Sequence, residues 1–217
     1  MHNTVENLIS IEKELKSSLE FSSNANIIAV SKTFPLEKIE PLIKYGHIHF
    51  GENKVQEAVE KWTKIKGDYP KIKLHMIGKL QTNKVKFVVP LFDYIHSLDS
   101  LKLAEKISLE QKKNDKILKI FIQVNIGNED QKAGISPNDL NLFFRECLDK
   151  YKLNIIGLMC IPPNDKNTNF YFSEMLKLTS SLGLKELSMG MSSDYKEAIK
   201  FESTFVRIGS KIFGNRN

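Results

Sequence analysis

Short apolar or β-branched runs alternate with longer amphipathic stretches along most of this 217-residue chain. That alternation limits the possible folds more than any other feature. Runs without polar alternation suit strands buried on both faces, and amphipathic spacers suit the crossover helices that parallel strands require. Strands are predicted at 27–31, 48–50, 74–77, 94–97, 119–125, 154–159, 186–189 and 205–208. A helix is expected first, at about 3–20, because Val5, Leu8, Ile9, Glu12, Leu15 and Leu19 fall near helical spacing. Others are expected over 36–45, ended by Gly46, then from beyond Asn53 through Trp62, around 83–88, and up to about Lys112. Eight strands, most of them separated by a helix, predict a (β/α)8 barrel of the TIM type. It would form one domain over 1–217 with an extra N-terminal helix. An open doubly wound sheet is the competing architecture.

Composition narrows the setting. Apolar residues make up 41% and charged residues 27%, ordinary for a globular chain with one sizeable core. The longest apolar runs, such as 27–30 and 87–92, are too short to cross a membrane. The N-terminus, MHNTVENLIS, lacks the basic start and apolar stretch of a secretory signal. Cys147 and Cys160 are the two cysteines and neither lies in a CxxC, which argues against a disulfide framework or a zinc site. A cytoplasmic location is therefore expected. The net charge of +6 is spread among glutamates and aspartates, so it does not read as a nucleic-acid footprint. A basic surface still attracts small anions.

In parallel α/β proteins chemistry gathers at the C-terminal ends of strands. Here those ends carry Ser31-Lys32, Gly51-Glu52-Asn53, Gly78, Ser97, Asn125, Cys160, Gly190-Met191-Ser192 and Gly209-Ser210. Each alone could be turn chemistry. A lysine at the tip of a buried strand is poorly placed for packing and well placed to touch a ligand. In a desolvated site its amine attacks a carbonyl. The Gly190 and Gly209 segments follow the seventh and eighth strands, where such barrels often bind phosphate. A short helix expected from Asp194 to Lys200 would aim its positive end at the same place. An aldehyde with a phosphate tail would span Lys32 and this cradle, facing each other across the barrel mouth. Pyridoxal 5′-phosphate is such a molecule.

Other polar residues read less sharply. His47 and His49 could form a metal pair, but no third ligand has suitable spacing, so polar contacts are preferred. His75 and His96 either point into the mouth or are hydrogen-bonded core residues. Glu52 and Asp99 read as loop or capping groups, not as an acid–base pair. No Ser-His-Asp or Cys-His set stands out, and Cys160 has no base assigned to it.

Several motifs occur in order. They are Ala29-Val30-Ser31-Lys32-Thr33, Phe50-Gly51-Glu52-Asn53, the run from His75 through Gly78-Lys79-Leu80 to Lys84, and His96-Ser97-Leu98-Asp99-Ser100. Then come Gly157 to Pro163, Leu187-Ser188-Met189-Gly190-Met191-Ser192, Val206-Arg207-Ile208-Gly209 and Ile212-Phe213-Gly214. By these motifs the sequence resembles the pyridoxal phosphate homeostasis proteins, a family built on a single alanine-racemase-like barrel of PLP fold type III. The resemblance runs from about Ile28 to Gly214. It implies that Lys32 holds the cofactor as a lysine aldimine, that Ser192, Gly209 and Ser210 hold its phosphate with Met191 alongside, and that Asn53 lies near the ring. It also implies that Arg207 faces the pyridine nitrogen. A guanidinium does not practically lose its proton, so it can only donate to that nitrogen, which stays unprotonated and a weaker electron sink. The alternative for Arg207 is a buried barrel arginine paired to a carboxylate.

The chain departs from the family's pattern in places. Leu74 stands where tryptophan is usual, the segment from Val124 to Gly134 keeps Lys132 but lacks a common serine, and Glu202 replaces a usual glycine. Two function classes follow. One is a non-catalytic carrier that holds PLP reversibly in intracellular vitamin B6 homeostasis. Its partners would be PLP and, transiently, PLP-dependent apo-enzymes, with no nucleic acid and no membrane. The other is a PLP-dependent amino-acid racemase or decarboxylase. Such enzymes append a β-rich domain that supplies a catalytic tyrosine, and the chain stops just past the eighth strand. A monomeric, non-catalytic carrier is the expectation.

Overall fold

A computed structural model describes residues 2–17 and 25–214. Eight parallel strands close into a barrel in sequence order: β1 (Asn26–Val30), β2 (His49–Glu52), β3 (Lys73–Met76), β4 (Tyr94–Leu98), β5 (Lys119–Val124), β6 (Ile155–Cys160), β7 (Glu186–Met191) and β8 (Phe205–Ile208). The open-sheet alternative is excluded by the pairing of β8 back onto β1, where Ile28 stands opposite Arg207. Helices α2 (Leu36–Tyr45), α3 (Val55–Asp68), α4 (Val85–Leu91), α5 (Leu101–Asn114), α6 (Leu140–Asp149), α7 (Thr168–Ser181) and α8 (Tyr195–Lys200) connect successive strands. They bury their apolar stripes on the outside of the barrel, as a parallel sheet requires.

The predicted strands all form, β8 with the expected ends and the others with ends shifted by a residue or two. The N-terminal helix α1 (Asn3–Lys16) buries Val5, Leu8, Ile11 and Leu15, so Ile11 carries the stripe while Ile9 packs beside it. Leu19, read as part of this helix, lies outside the described residues. The Asn7 side chain donates to the Ile212 carbonyl at 3.0 Å, anchoring α1 to a one-turn helix α9 (Ser210–Phe213) that follows β8. Sequence reading did not mark α9 as a helix, because four residues hold no periodicity.

Two departures from the family's pattern have readable outcomes. Glu202 has φ of 60°, a left-handed conformation that costs a non-glycine residue about 1 kcal/mol. Leu74 is fully buried in the main core. A second, smaller core of Ile28, Tyr94, Phe121, Met159 and Phe205 lies inside the barrel. Its residues face inward, since the Tyr94 and Phe205 rings meet at 5.7 Å although β4 and β8 are not neighbours. No described helix is long and apolar enough to cross a membrane.

Candidate functional site

A cavity of about 1090 Å³ opens at the C-terminal ends of the strands. Lys32, Asn53, Met191, Ser192, Arg207, Gly209 and Ser210 all line it, so the fold brings together every residue singled out for cofactor binding. Lys79, Gln123, Asn125, Gln131 and Lys132 complete much of the remaining polar wall. One expectation needs correcting. Lys32 and the Gly209 segment do not face each other across the mouth; β1 and β8 are hydrogen-bonded neighbours, and a Cβ on Gly209 would lie 3.5 Å from the Val30 carbonyl. Lysine and cradle stand side by side on the rim.

Lys32 is half-buried and sits in a turn directly after β1. The next residue, Thr33, has φ of 66°, where a β-branched side chain is a genuine outlier. Its N–H donates to Glu57 Oε1 at 2.5 Å. On the other side of Lys32, the Ser31 hydroxyl donates to Glu52 Oε1 at 2.8 Å. Glu52 is therefore neither a loop nor a capping group. It is fully buried, and the same oxygen accepts from Trp62 Nε1 and Lys61 Nζ. Asn53 is set by the close passage of Gly78, where any Cβ would fall 2.4 Å from the Asn53 carbonyl oxygen. The Asn53 side-chain oxygen is buried in the cavity wall with no hydrogen-bond partner among the described residues.

At β7 the chain turns sharply. Gly190 has φ of 88°, and a Cβ there would lie 2.6 Å from the Ala198 side chain on α8. Gly190→Ala is expected to cost about 2 kcal/mol or more, from left-handed strain plus overpacking, read as a lower urea midpoint with unchanged slope. Ser192 Oγ accepts the Gly209 N–H at 3.3 Å, tying the loop after β7 to the one after β8. The positive end of α8 is less open than expected, because Asp194, which precedes it, places a carboxylate there and accepts from the Met191 N–H at 2.6 Å. Ser210 and Lys211 instead open α9 beside the cavity, and a helix leaves its first N–H groups unsatisfied.

Arg207 is buried, with 5% exposure. Its Nη1 donates to the Ser188 carbonyl and hydroxyl, each at 2.7 Å, and Nη2 donates to the Cys160 carbonyl at 2.8 Å. Neutral acceptors hold the guanidinium, and no ion pair forms on it among the described residues. Burial pulls its pKa down, opposed by Cys160 and Asp194, yet a guanidinium stays charged. Three bonds leave donors over for the cavity that Arg207 lines.

Beneath Arg207 runs a column of imidazoles that sequence reading could not join. His49 Nδ1 meets His75 Nε2, His75 Nδ1 meets His96 Nε2, and His96 Nδ1 meets Ser188 Oγ, each at 2.9 Å. His75 and His96 are thus hydrogen-bonded core residues and do not line the cavity. Burial lowers all their pKa values: His49 to about 4, His75 and His96 well below the usual range. The three rings and Ser188 form one directional chain: protons on Nε2 run it from the Ser188 hydroxyl toward His49, and protons on Nδ1 run it back to Ser188 Oγ, whose second lone pair lies beside the one that accepts from Arg207. His47 Nε2 donates to the His49 carbonyl at 2.8 Å, the polar contact expected of it. No cluster able to hold a metal ion occurs among the described residues. Cys160 is buried with its pKa pushed up to about 12, so it carries no thiolate. Asp99 is a loop residue between β4 and α5, as expected, and the cap of α5 is the Ser100 hydroxyl, which accepts from the Leu103 N–H.

Residues 7–217 match the family described as alanine racemase, N-terminal domain. A pyridoxal phosphate homeostasis protein of Aquifex aeolicus is 35% identical, over 99% of each chain. The solved structure of PipY from Synechococcus elongatus without PLP superimposes with a TM-score of 0.89 at 34% identity, covering 98% of this chain and 100% of that one. The PLP-bound structure of PipY gives 0.86 at 33% identity, covering 97% and 100%. Alanine racemase of Clostridium difficile shares the fold at 15% identity, with a TM-score of 0.76 over 99% of this chain and 57% of its own.

Proposed function

The chain belongs to the pyridoxal phosphate homeostasis proteins, within the alanine racemase N-terminal domain family, and on that premise we propose that it holds pyridoxal 5′-phosphate covalently through Lys32 as a non-catalytic carrier. The observation that carries this reading is the convergence of Lys32, Asn53, Met191, Ser192, Arg207, Gly209 and Ser210 on one cavity. The residues fit the cofactor chemically. The Ser192 and Ser210 hydroxyls and the open N–H groups at the start of α9 suit a phosphate dianion. Arg207, with donors to spare, suits an unprotonated ring nitrogen, and the orphaned Asn53 oxygen suits a donor on the ligand.

When bound, PLP supplies an aldehyde carbon that an amine can attack and a ring that draws off electron density. Every other role falls to the protein. Lys32 provides the amine, the loops after β7 and β8 hold the anion, and Arg207 donates a hydrogen bond without giving up its proton. That donation keeps a proton off the ring and weakens it as an electron sink. Racemisation also needs proton-transfer groups on both faces of a carbon. Among the described residues the ionisable side chains on the cavity wall are Lys32, Lys79, Lys132 and Arg207. Lys132 is engaged by Glu129 at 2.5 Å and by the Pro162 carbonyl at 3.1 Å. A cationic wall suits holding an anion better than shuttling protons.

The carrier reading includes a monomer, supported by all seven proposed cofactor residues coming from one chain, and transient handover of PLP to apo-enzymes. The test is to load the protein with PLP, incubate it with single-enantiomer amino acids, and follow chirality and CO2 release. The expected result is a stable PLP complex with no turnover above free PLP. Sustained multiple turnovers would replace the carrier by an enzyme.

A further inference from the structure

The turn that presents Lys32 is gripped from both sides by one charged cluster built on the buried Glu52. Lys61 on α3 uses its three N–H donors on three different targets: the Ser31 carbonyl at 3.0 Å, Glu52 Oε1 at 3.0 Å and Glu57 Oε1 at 3.1 Å. Glu52 in turn accepts the Ser31 hydroxyl, and Glu57 accepts the Thr33 N–H. The residues flanking Lys32 are therefore both tied to carboxylates that share a single ammonium. Lys61 and Glu52 are shielded from solvent, with side-chain exposures of 11% and 0%. Such shielding is uncommon for a lysine unless it is paired.

The cluster also meets a need. A threonine at φ of 66° relaxes unless its surroundings over-determine it. The Thr33 N–H bond to Glu57 and the Lys61 bond to the Ser31 carbonyl supply that restraint. From this geometry, and resting on the carrier reading above, we propose that Lys61, acting through Glu57 and Glu52, is a positioning residue for Lys32. It holds the strained turn so that the Lys32 amine meets the aldehyde of the ligand in a reactive orientation. The amine adds to the aldehyde carbon, a C=N bond forms, and the aldehyde oxygen leaves as water.

A positioning role and a scaffold role predict different things. Pyridoxine 5′-phosphate keeps the ring and phosphate but has an alcohol in place of the aldehyde, so it can bind and cannot condense. Lys61→Met leaves the buried Glu52 unpaired and risks the fold. Glu57→Ala removes only the Thr33 side of the grip and leaves Glu52 paired with Lys61. The rate at which PLP becomes trapped on Lys32 by borohydride, and the affinity for pyridoxine 5′-phosphate, are measured for wild type, Glu57→Ala and Lys61→Arg. We expect trapping in Glu57→Ala to slow on the order of tenfold or more, with alcohol affinity unchanged and Lys61→Arg close to wild type. Unchanged trapping in Glu57→Ala overturns the proposal. So does a parallel fall in alcohol affinity, which would mark a scaffold role. Wild-type protein that traps nothing on Lys32 would instead sink the carrier reading itself.

Discussion

Lys32→Ala is expected to abolish covalent capture of pyridoxal 5′-phosphate, from near-complete labelling of the wild-type protein to background. The measurement is intact mass after borohydride reduction, followed by peptide mapping. Among the described residues three lysines line the cavity, so the prediction is selective. Lys132 is occupied by Glu129 and the Pro162 carbonyl, and Lys79 comes from the loop after β3. Lys32 alone stands next to the loop joining β8 to α9 and is carried by a turn restrained on both sides. Preorganisation of this kind is what separates one amine from its neighbours, since effective concentration depends steeply on geometry. The substitution removes a half-buried side chain, so stability should change by less than about 1 kcal/mol. Pyridoxine 5′-phosphate should bind the variant nearly as well, because the anion-holding residues are untouched. Undiminished labelling of Lys32→Ala, with the mass on Lys79 or Lys132, would defeat the assignment.

The second large effect is on acid stability. His75 and His96 are held neutral inside the barrel. For His75 the cause is burial first, then His96, His49, His47 and Lys66; for His96 it is burial, then Arg207 and His49. His49 is lowered by burial, His47, Lys73 and Lys119, with Asp93 opposing, and His47 mainly by burial. Their folded pKa values lie below the unfolded value near 6.5. The unfolded chain therefore binds more protons as pH falls below 6.5, and stability falls with it. The loss begins near pH 6.5 and continues to about pH 4, where His47 and His49 titrate in the folded protein. Each histidine that stays neutral costs about 1.4 kcal/mol per pH unit. The two fully buried rings, lowered well below 6.5, add to this loss, against a typical total stability of about 5–15 kcal/mol. Carboxylates titrate mostly below that window, so urea melts at pH 7 and pH 5 isolate the histidines. Equal midpoints at the two values would show that the column takes up protons without cost.

Much of the barrel was legible because buried parallel strands are written as contiguous apolar runs, and 205–208 was read with its observed ends. The cavity residues were legible for a related reason. Glycine and serine at strand ends have little packing value there, and Gly190 indeed requires a conformation that other residues resist. What stayed hidden depends on closure. His49, His75, His96 and Ser188 sit on four strands, and nothing in their spacing says that inward-facing side chains on β4 and β7 meet. The neighbouring places of Lys32 and Gly209 follow only once β8 is known to pair with β1. The grip on the Lys32 turn was missed for a different reason: Lys61 and Glu57 look like any solvated helix pair. Nothing in the sequence tells that the strand end carrying Ser31 passes within reach of both.

The pairing of β8 with β1 also bears on when the protein becomes able to bind. Lys32 is made well before Arg207, Gly209 and Ser210. A chain still emerging from the ribosome has the lysine but neither the anion-holding loops nor the guanidinium. Contacts between segments far apart in sequence, such as β1 and β8, are entropically slow to close. On the carrier reading, a chain that has not yet paired β8 with β1 presents Lys32 as an ordinary lysine and gathers no aldehyde.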